Sequence, residues 1–461
     1  MRRLLLGLTL LCLAAPVAAG EPAWDAAGQE AVERLIAYLR VNTSNPPGNE
    51  LLAARFFQQW FETEGIAVEV LEFEPGRANL VARLPGSGAE RPLLLMNHSD
   101  VVTADSARWR AGPFSGDLLD GYIYGRGALD MKGEGLVQAM VFVLLKRAGI
   151  PLKRDVYFIA TADEEVAFRG AFRLMKDKAE LLRGAEFILT EGGNNLIEDG
   201  QLRFVGVDNA EKAPFWLRLR ACGVPGHGSR PLADAATHRL VRALARVAEW
   251  RTPINVLPGV EKFFRDLAAR EPAGRSENFR HLREAVQDPA FLASLTDDPA
   301  YNYLLRNTIS ITVLEGGPQT NVIPGEAVAH LDVRLLPGQK HEEFLAELRN
   351  ILADDTIEIE LLQDSFRPAT SSPTDTAVIR AIEAVAAERF PGTLVTTLML
   401  SGYTECGILR DLGPHCYGFS PFLLDRRETA NEHGDNERVS VENVQRGLRF
   451  YYDVVERLVR E

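Results

Sequence analysis

Three continuous apolar runs constrain this chain more than any other feature. Leu93-Leu94-Leu95-Met96, Val156-Tyr157-Phe158-Ile159-Ala160 and Phe187-Ile188-Leu189 lack the polar alternation of a strand with one wet face. Each therefore reads as a strand buried on both sides. Between the first two, residues 135–145 are apolar for long enough to make a helix packed on the sheet. Helices alternating with such runs specify a three-layer α/β domain with a mostly parallel sheet.

The texture changes near Phe215. Phe215-Trp216-Leu217-Arg218-Leu219-Arg220 ends in period-two alternation, as a strand with one exposed face does. A helix is expected over residues 233–250, strands over 307–314 and 328–335, a helix over 341–352 and a strand over 357–362. That order, β-α-β-β-α-β, is the ferredoxin-like split unit. A charged, mostly helical insertion, 251–306, interrupts it. Residues 365–376 are rich in Ser, Thr and Pro and read as a linker, after which helices over 376–390 and 441–459 restore α/β character. With 461 residues, two domains are expected. The architecture read from the sequence is a catalytic α/β domain in two parts, 26–213 and 365–461, split by an inserted α+β lid or dimerisation domain, 214–364.

Charge and targeting narrow the class further. Lys and Arg number 51 against 64 Asp and Glu, a net charge of -13 without a basic block. Such a chain is a poor partner for nucleic acid or an anionic membrane surface. Arg2 and Arg3 precede an apolar run from Leu4 to Val17, followed by Ala18-Ala19-Gly20. That order is a secretory signal peptide over residues 1–20, cleaved near Ala19 or Gly20, and implies a periplasmic or secreted protein. The run falls short of the roughly 20 apolar residues of a membrane span, although an uncleaved anchor is the competing reading. No span is expected in the mature chain, and Cys222, Cys406 and Cys416 allow it one disulfide.

Acidic and His-bearing segments fall where strands are expected to end. His98-Ser99-Asp100 follows the first run, Glu164-Glu165 the second and Glu191-Gly192-Gly193 the third. Asp130 lies in a Gly-rich turn entering the following helix, and His433 lies in Glu432-His433-Gly434-Asp435-Asn436-Glu437 before the last helix. In an open parallel sheet the carboxyl ends of the strands line the ligand crevice. Imidazoles and carboxylates converging there suit zinc, and a bridging carboxylate suits two metals about 3.5–4 Å apart. Each segment alone has a plainer reading, as a loop cap or a solvated charge run.

The HSD segment, GRGALDMKG, DEE, TEGG, GHGSRP, TNVIP and HGDNER together resemble the dinuclear zinc aminoacylase/carboxypeptidase family. The likeness covers nearly the whole chain after residue 20 and includes the domain order. It implies that Asp130 bridges two zinc ions, for which cobalt or manganese could substitute. His98 and Glu191 would complete one site, and Glu165 and His433 the other. It further implies Glu164 as general base, Asp100 as the partner fixing the His98 tautomer, and a cis peptide at Asp130-Met131. His227 resembles the family's lid histidine, which reaches the site of the other subunit, so a homodimer through the inserted domain is expected. Asn321 and Arg334 look like lid residues that contact substrate. Gly402 could offer its backbone N–H, although Gly402-Tyr403-Thr404-Glu405-Cys406-Gly407 departs from the family's Gly-Thr-Asp-Ser-Arg-like run.

The activity so implied is hydrolysis of an amide or peptide bond next to a free carboxylate, in N-acyl amino acids or short peptides. A non-catalytic binding protein on the same fold is one alternative. The other is a two-metal phosphoesterase, for which the motifs offer mainly Arg126 and Lys132 as phosphate-facing cations. The insertion points to the Gly-Xaa carboxypeptidase branch, which includes hydrolases of N-fatty-acyl amino acids. Its Phe263, Phe264, Phe279 and Phe291 could wall an acyl channel or simply pack helices.

Overall fold

The computed structural model describes residues 21–198, 201–363, 367–429 and 431–461. The signal-peptide reading of residues 1–20 therefore lies outside the described residues. The three apolar runs form the strands Leu93–His98, Val156–Thr161 and Phe187–Thr190. They are adjacent and parallel, with Leu93–His98 in the middle. His415–Gly418 extends the parallel block beside Phe187–Thr190. An antiparallel hairpin, Val68–Glu74 and Arg77–Leu84, closes one side, and the long strand Gln201–Glu211 lies on the other. Ten strands make this sheet among the described residues.

Helices cover both faces. Trp24–Leu39, Lys132–Ala148, Ala377–Arg389 and Val441–Val459 build the larger core with Phe142, Phe158, Tyr417 and Tyr451. Leu94, Met96, Ile159 and Ile188 point to the opposite face and meet Leu174, Leu182 and Leu409. This two-sided burial is why the runs show no alternation. Cys406 and Cys416 form a disulfide on that second face.

The inserted sheet is antiparallel, in the order Thr308–Gly316, Glu326–Leu335, Ala213–Cys222, Glu358–Leu361. The helices Ala236–Glu249 and His341–Leu352 pack on one of its faces through Leu240, Leu244, Phe344 and Leu348. The helices of residues 258–305 belong elsewhere. Phe263, Phe264, Leu282 and Leu305 share a core with Ala210 and Met399 of the large sheet. This insertion thus packs against the catalytic sheet, although its sequence position interrupts the inserted unit. No described helix is long and apolar enough to cross a membrane.

Candidate metal centre

His98 ends its strand, and Glu164, Glu165 and Glu191 follow their own at the same edge of the sheet. Asp130 arrives from the turn before the helix Lys132–Ala148, and its peptide bond to Met131 is cis. The Asp130 carboxylate lies between two imidazoles: Oδ1 is 2.9 Å from His98 Nε2 and Oδ2 is 2.9 Å from His433 Nε2. Glu191 Oε2 stands 3.3 Å from His98 Nε2, and Glu165 Oε2 stands 3.3 Å from His433 Nε2. Two three-donor groups result, His98–Asp130–Glu191 and Asp130–Glu165–His433, which share one residue.

This donor set fits divalent metal. Around an ion bound at ~2.0–2.1 Å, tetrahedral N and O donors are roughly 3.3 Å apart, close to the separations here. Glu165 Oε1 is buried without a hydrogen-bond partner, the signature of an acceptor reserved for a cation. Opposed shifts mark the cluster. Burial works against the Asp130 carboxylate, yet hydrogen bonds from His433 and His98 hold it below the usual range. Burial lifts Glu191 to about 7, and hydrogen bonds to Asp130 and then Glu165 raise His433 to about 10. Burial, followed by the Glu191 charge, raises Glu164 well above an ordinary carboxylate.

Hydrogen bonds from distant segments hold these groups in place. Asp100 is fully buried and accepts from the backbone N–H of Glu164 and Glu165, at 3.1 and 3.2 Å. Asn45 Nδ2 donates to Asp100 and to Asp163, each at 2.8 Å. His98 Nδ1 is 3.1 Å from the main-chain carbonyl of Asp100 but 3.6 Å from its carboxylate. Asp100 thus faces His98 Nδ1 with both its carbonyl and its carboxylate, and its side chain also holds the Glu164-Glu165 turn. The Asp130 loop is organised by Glu437, which accepts from the N–H of Gly127, Leu129 and Asp130 and from Arg126. Arg126 in turn donates to the His433 carbonyl, so the Asp130 and His433 loops are tied together. Gly192 and Gly193 have φ of +104° and +74°, and a Cβ on either would come within 2.7 Å of Asp208 or Gly206. Only glycine fits there after Glu191.

The lid residues lie elsewhere. His227 is exposed on a two-stranded arm where Gly226–His227 pairs with Val322–Ile323, and Gly228 N–H donates to the Asn321 carbonyl at 2.7 Å. Arg334, on the inserted sheet, forks onto Asp332 at 2.8 and 3.2 Å. A cavity of about 380 Å³ lies beside the donor cluster, walled by Asp130, Glu134, Glu191, Asp208, Tyr303 and Ser401 among others; His98, Glu164, Glu165 and His433, like His227, Asn321, Arg334 and Gly402, are not among its described walls. Gly402 sits beside it, between Ser401 and Thr404. Glu405 turns inward, 2.9 Å from Thr161 Oγ1, and burial lifts it to about 8. Arg126 and Lys132 are both spent: Arg126 on buried Glu437, Lys132 on the Val41 carbonyl and the Tyr38 ring. Asn45, Glu134 and Glu437 are functional neighbours that the motifs did not single out. Only the position of Glu437 within HGDNER hinted at one of them.

The model of peptidase family M20/M25/M40 matches residues 94–457. An N-fatty-acyl-amino acid synthase/hydrolase of Xenopus tropicalis is 30% identical over 413 residues, covering 87% of this chain and 78% of that protein. Aminoacylase-1B of Rattus norvegicus is 27% identical, covering 91% of this chain and 92% of that protein. An M20 family metallo-carboxypeptidase structure from Sulfolobus solfataricus superposes with a TM-score of 0.69 at 18% identity, covering 93% of this chain and 98% of the other. The matched span holds every donor of the cluster, so the chain belongs to peptidase family M20/M25/M40 and is a metal-dependent hydrolase of amide or peptide bonds.

Proposed function

We propose that this enzyme removes the acyl group from N-acyl amino acids and short peptides whose amide lies next to a free carboxylate, using two zinc ions. The observation that carries this reading is the Asp130 carboxylate shared by two donor groups. Two divalent cations held by His98, Asp130 and Glu191 and by Asp130, Glu165 and His433 would polarise the amide carbonyl and lower the pKa of water. Glu164 accepts the proton of that water and returns it to the leaving nitrogen. His227 donates to the developing oxyanion from a second subunit. Asn321, Arg334 and the Gly402 N–H receive the substrate carboxylate, which Arg334 binds by exchanging its present partner Asp332. Both relatives named above act on acylated amino acids by name, which supports the substrate class. The engagement of Arg126 and Lys132 counts against a phosphate ester.

Export to the periplasm or medium is part of the same proposal. The Arg2-Arg3 flank with its apolar run supports it, and the Cys406–Cys416 disulfide suits an oxidising compartment. A panel pairing acetyl, lauroyl and glycyl groups with Phe, Leu and Glu tests the substrate class. Faster turnover of the Phe and Leu series, and slower turnover of their methyl esters, is expected. Preference for the Glu series, or equal rates on the esters, would overturn it.

A further inference from the structure

The Glu164 carboxylate makes no hydrogen bond to any described residue, whereas that of Glu165 is drawn to His433 at 3.3 Å. The direction of the Glu164 side chain is therefore set by the main chain that carries it. Asp100 holds that main chain at the N–H groups of Glu164 and Glu165. On the other side stands Asp163, fully buried and with a φ of +67°. Left-handed backbone is costly for residues other than glycine, although aspartate tolerates it better than most. Here it turns the chain out of the strand Val156–Thr161 and into the Glu164-Glu165 pair. The Asp163 side chain fastens this turn. Its Oδ1 accepts from Asn45 Nδ2 and from Arg77 Nη2, each at 2.8 Å, and its Oδ2 accepts from Arg169 Nε at 2.7 Å. Its carbonyl accepts from the N–H of Phe168 at 2.6 Å, which closes the loop after the two glutamates.

Arg77 supplies a buried counter-charge to this carboxylate. It forks onto Glu50, itself fully buried, through Nε and Nη2 at 2.6 Å each, and its Nη1 reaches the Pro47 carbonyl at 3.2 Å. Gly48 passes so close, with a φ of +81°, that a Cβ there would stand 2.3 Å from Arg77 Cζ. Arg169, on the other side of Asp163, pairs with Glu74 at 2.8 Å. Glu74 and Arg77 flank the turn of the hairpin Val68–Glu74 and Arg77–Leu84, so the tip of this hairpin grips Asp163 from two sides. A buried carboxylate with so many donors is fixed, and the side chain one residue further on is aimed through it. We infer that Asp163 is the positioning residue of the base, aiming Glu164 through the main chain, and that Arg77 holds Asp163 in place. The inference rests on the reading of Glu164 as proton acceptor and adds what fixes its direction. A misplacement of about 1 Å at a reacting group costs on the order of 10²-fold in rate.

Glycine adopts a positive φ freely, so Asp163→Gly keeps the turn and removes the anchor. On acetyl-phenylalanine its kcat is expected to fall about 10- to 100-fold, with KM within about twofold of the wild type. Metal content by elemental analysis stays equal to the wild type. Added to Glu164→Gln, the same substitution leaves the residual rate unchanged, because the aim of the base matters only while there is a base. Arg77→Lys cannot fork across Glu50 and Asp163. It lowers kcat in the same direction, is equally silent in the Glu164→Gln background, and carries the test where Asp163→Gly fails to fold. An equal fall in both backgrounds, a loss of metal or an unchanged kcat would overturn the positioning role. A wild-type rate from Glu164→Gln alone would instead overturn the reading of Glu164 as the base.

Discussion

Glu164 and Glu165 are neighbours in sequence with different surroundings. Glu165 is drawn to His433 by a 3.3 Å contact, while Glu164 is raised well above the carboxylate range by burial and by the charge of Glu191. Both backbone N–H groups are pinned by Asp100, so the turn cannot exchange the two side chains without breaking those bonds. Glu164→Gln keeps the shape and removes the base. Its kcat is expected to fall about 10²- to 10⁴-fold, with metal content by elemental analysis equal to the wild type. Loss of metal on that substitution would show that the two glutamates carry the opposite roles.

At the scale of elements, the centre depends on two loops far apart in sequence and joined through one buried carboxylate. Glu437 holds the Asp130 loop through backbone N–H groups, and its partner Arg126 holds the His433 carbonyl. Glu437→Ala leaves the buried Arg126 charge and these N–H groups without their acceptor, a loss of about 3–5 kcal/mol. Chemical denaturation should show that loss, with metal affinity weakened about 10- to 100-fold; an unchanged unfolding midpoint would contradict it. This organisation explains what the sequence made legible. Runs buried on two faces announce themselves, so the three central strands and the residues just after them could be read directly. The strand Gln201–Glu211 could not, because its buried Asp208, Asn209 and Glu211 look like surface residues until their partners Gly193, Ser372, Thr404 and Arg410 are known. Asn45 was hidden for the same reason, as its acceptors lie 55 and 118 residues away. The insertion's place on the large sheet depends on Ala210 and Met399, contacts that no periodicity within residues 251–306 encodes.

For the whole molecule, the exposed arm that carries His227 and Asn321 sets the question of assembly. The strand Thr308–Gly316 is an edge of the inserted sheet and exposes Leu314, which suits an isologous contact between two copies. If His227 serves the partner's cluster, mixing His227→Ala chains with Glu164→Ala chains restores part of the activity, because each heterodimer holds one intact pair. No restoration after confirmed subunit exchange would place His227 outside the partner's site. All of this depends on two metals bound by one shared aspartate. The most direct measurement is metal stoichiometry followed through chelation and add-back, with acetyl-phenylalanine hydrolysis read in parallel. The account predicts two zinc ions per chain, activity lost as they are removed and restored as they return, and an Asp130→Ala chain that holds neither tightly. Full turnover after complete metal removal would contradict it.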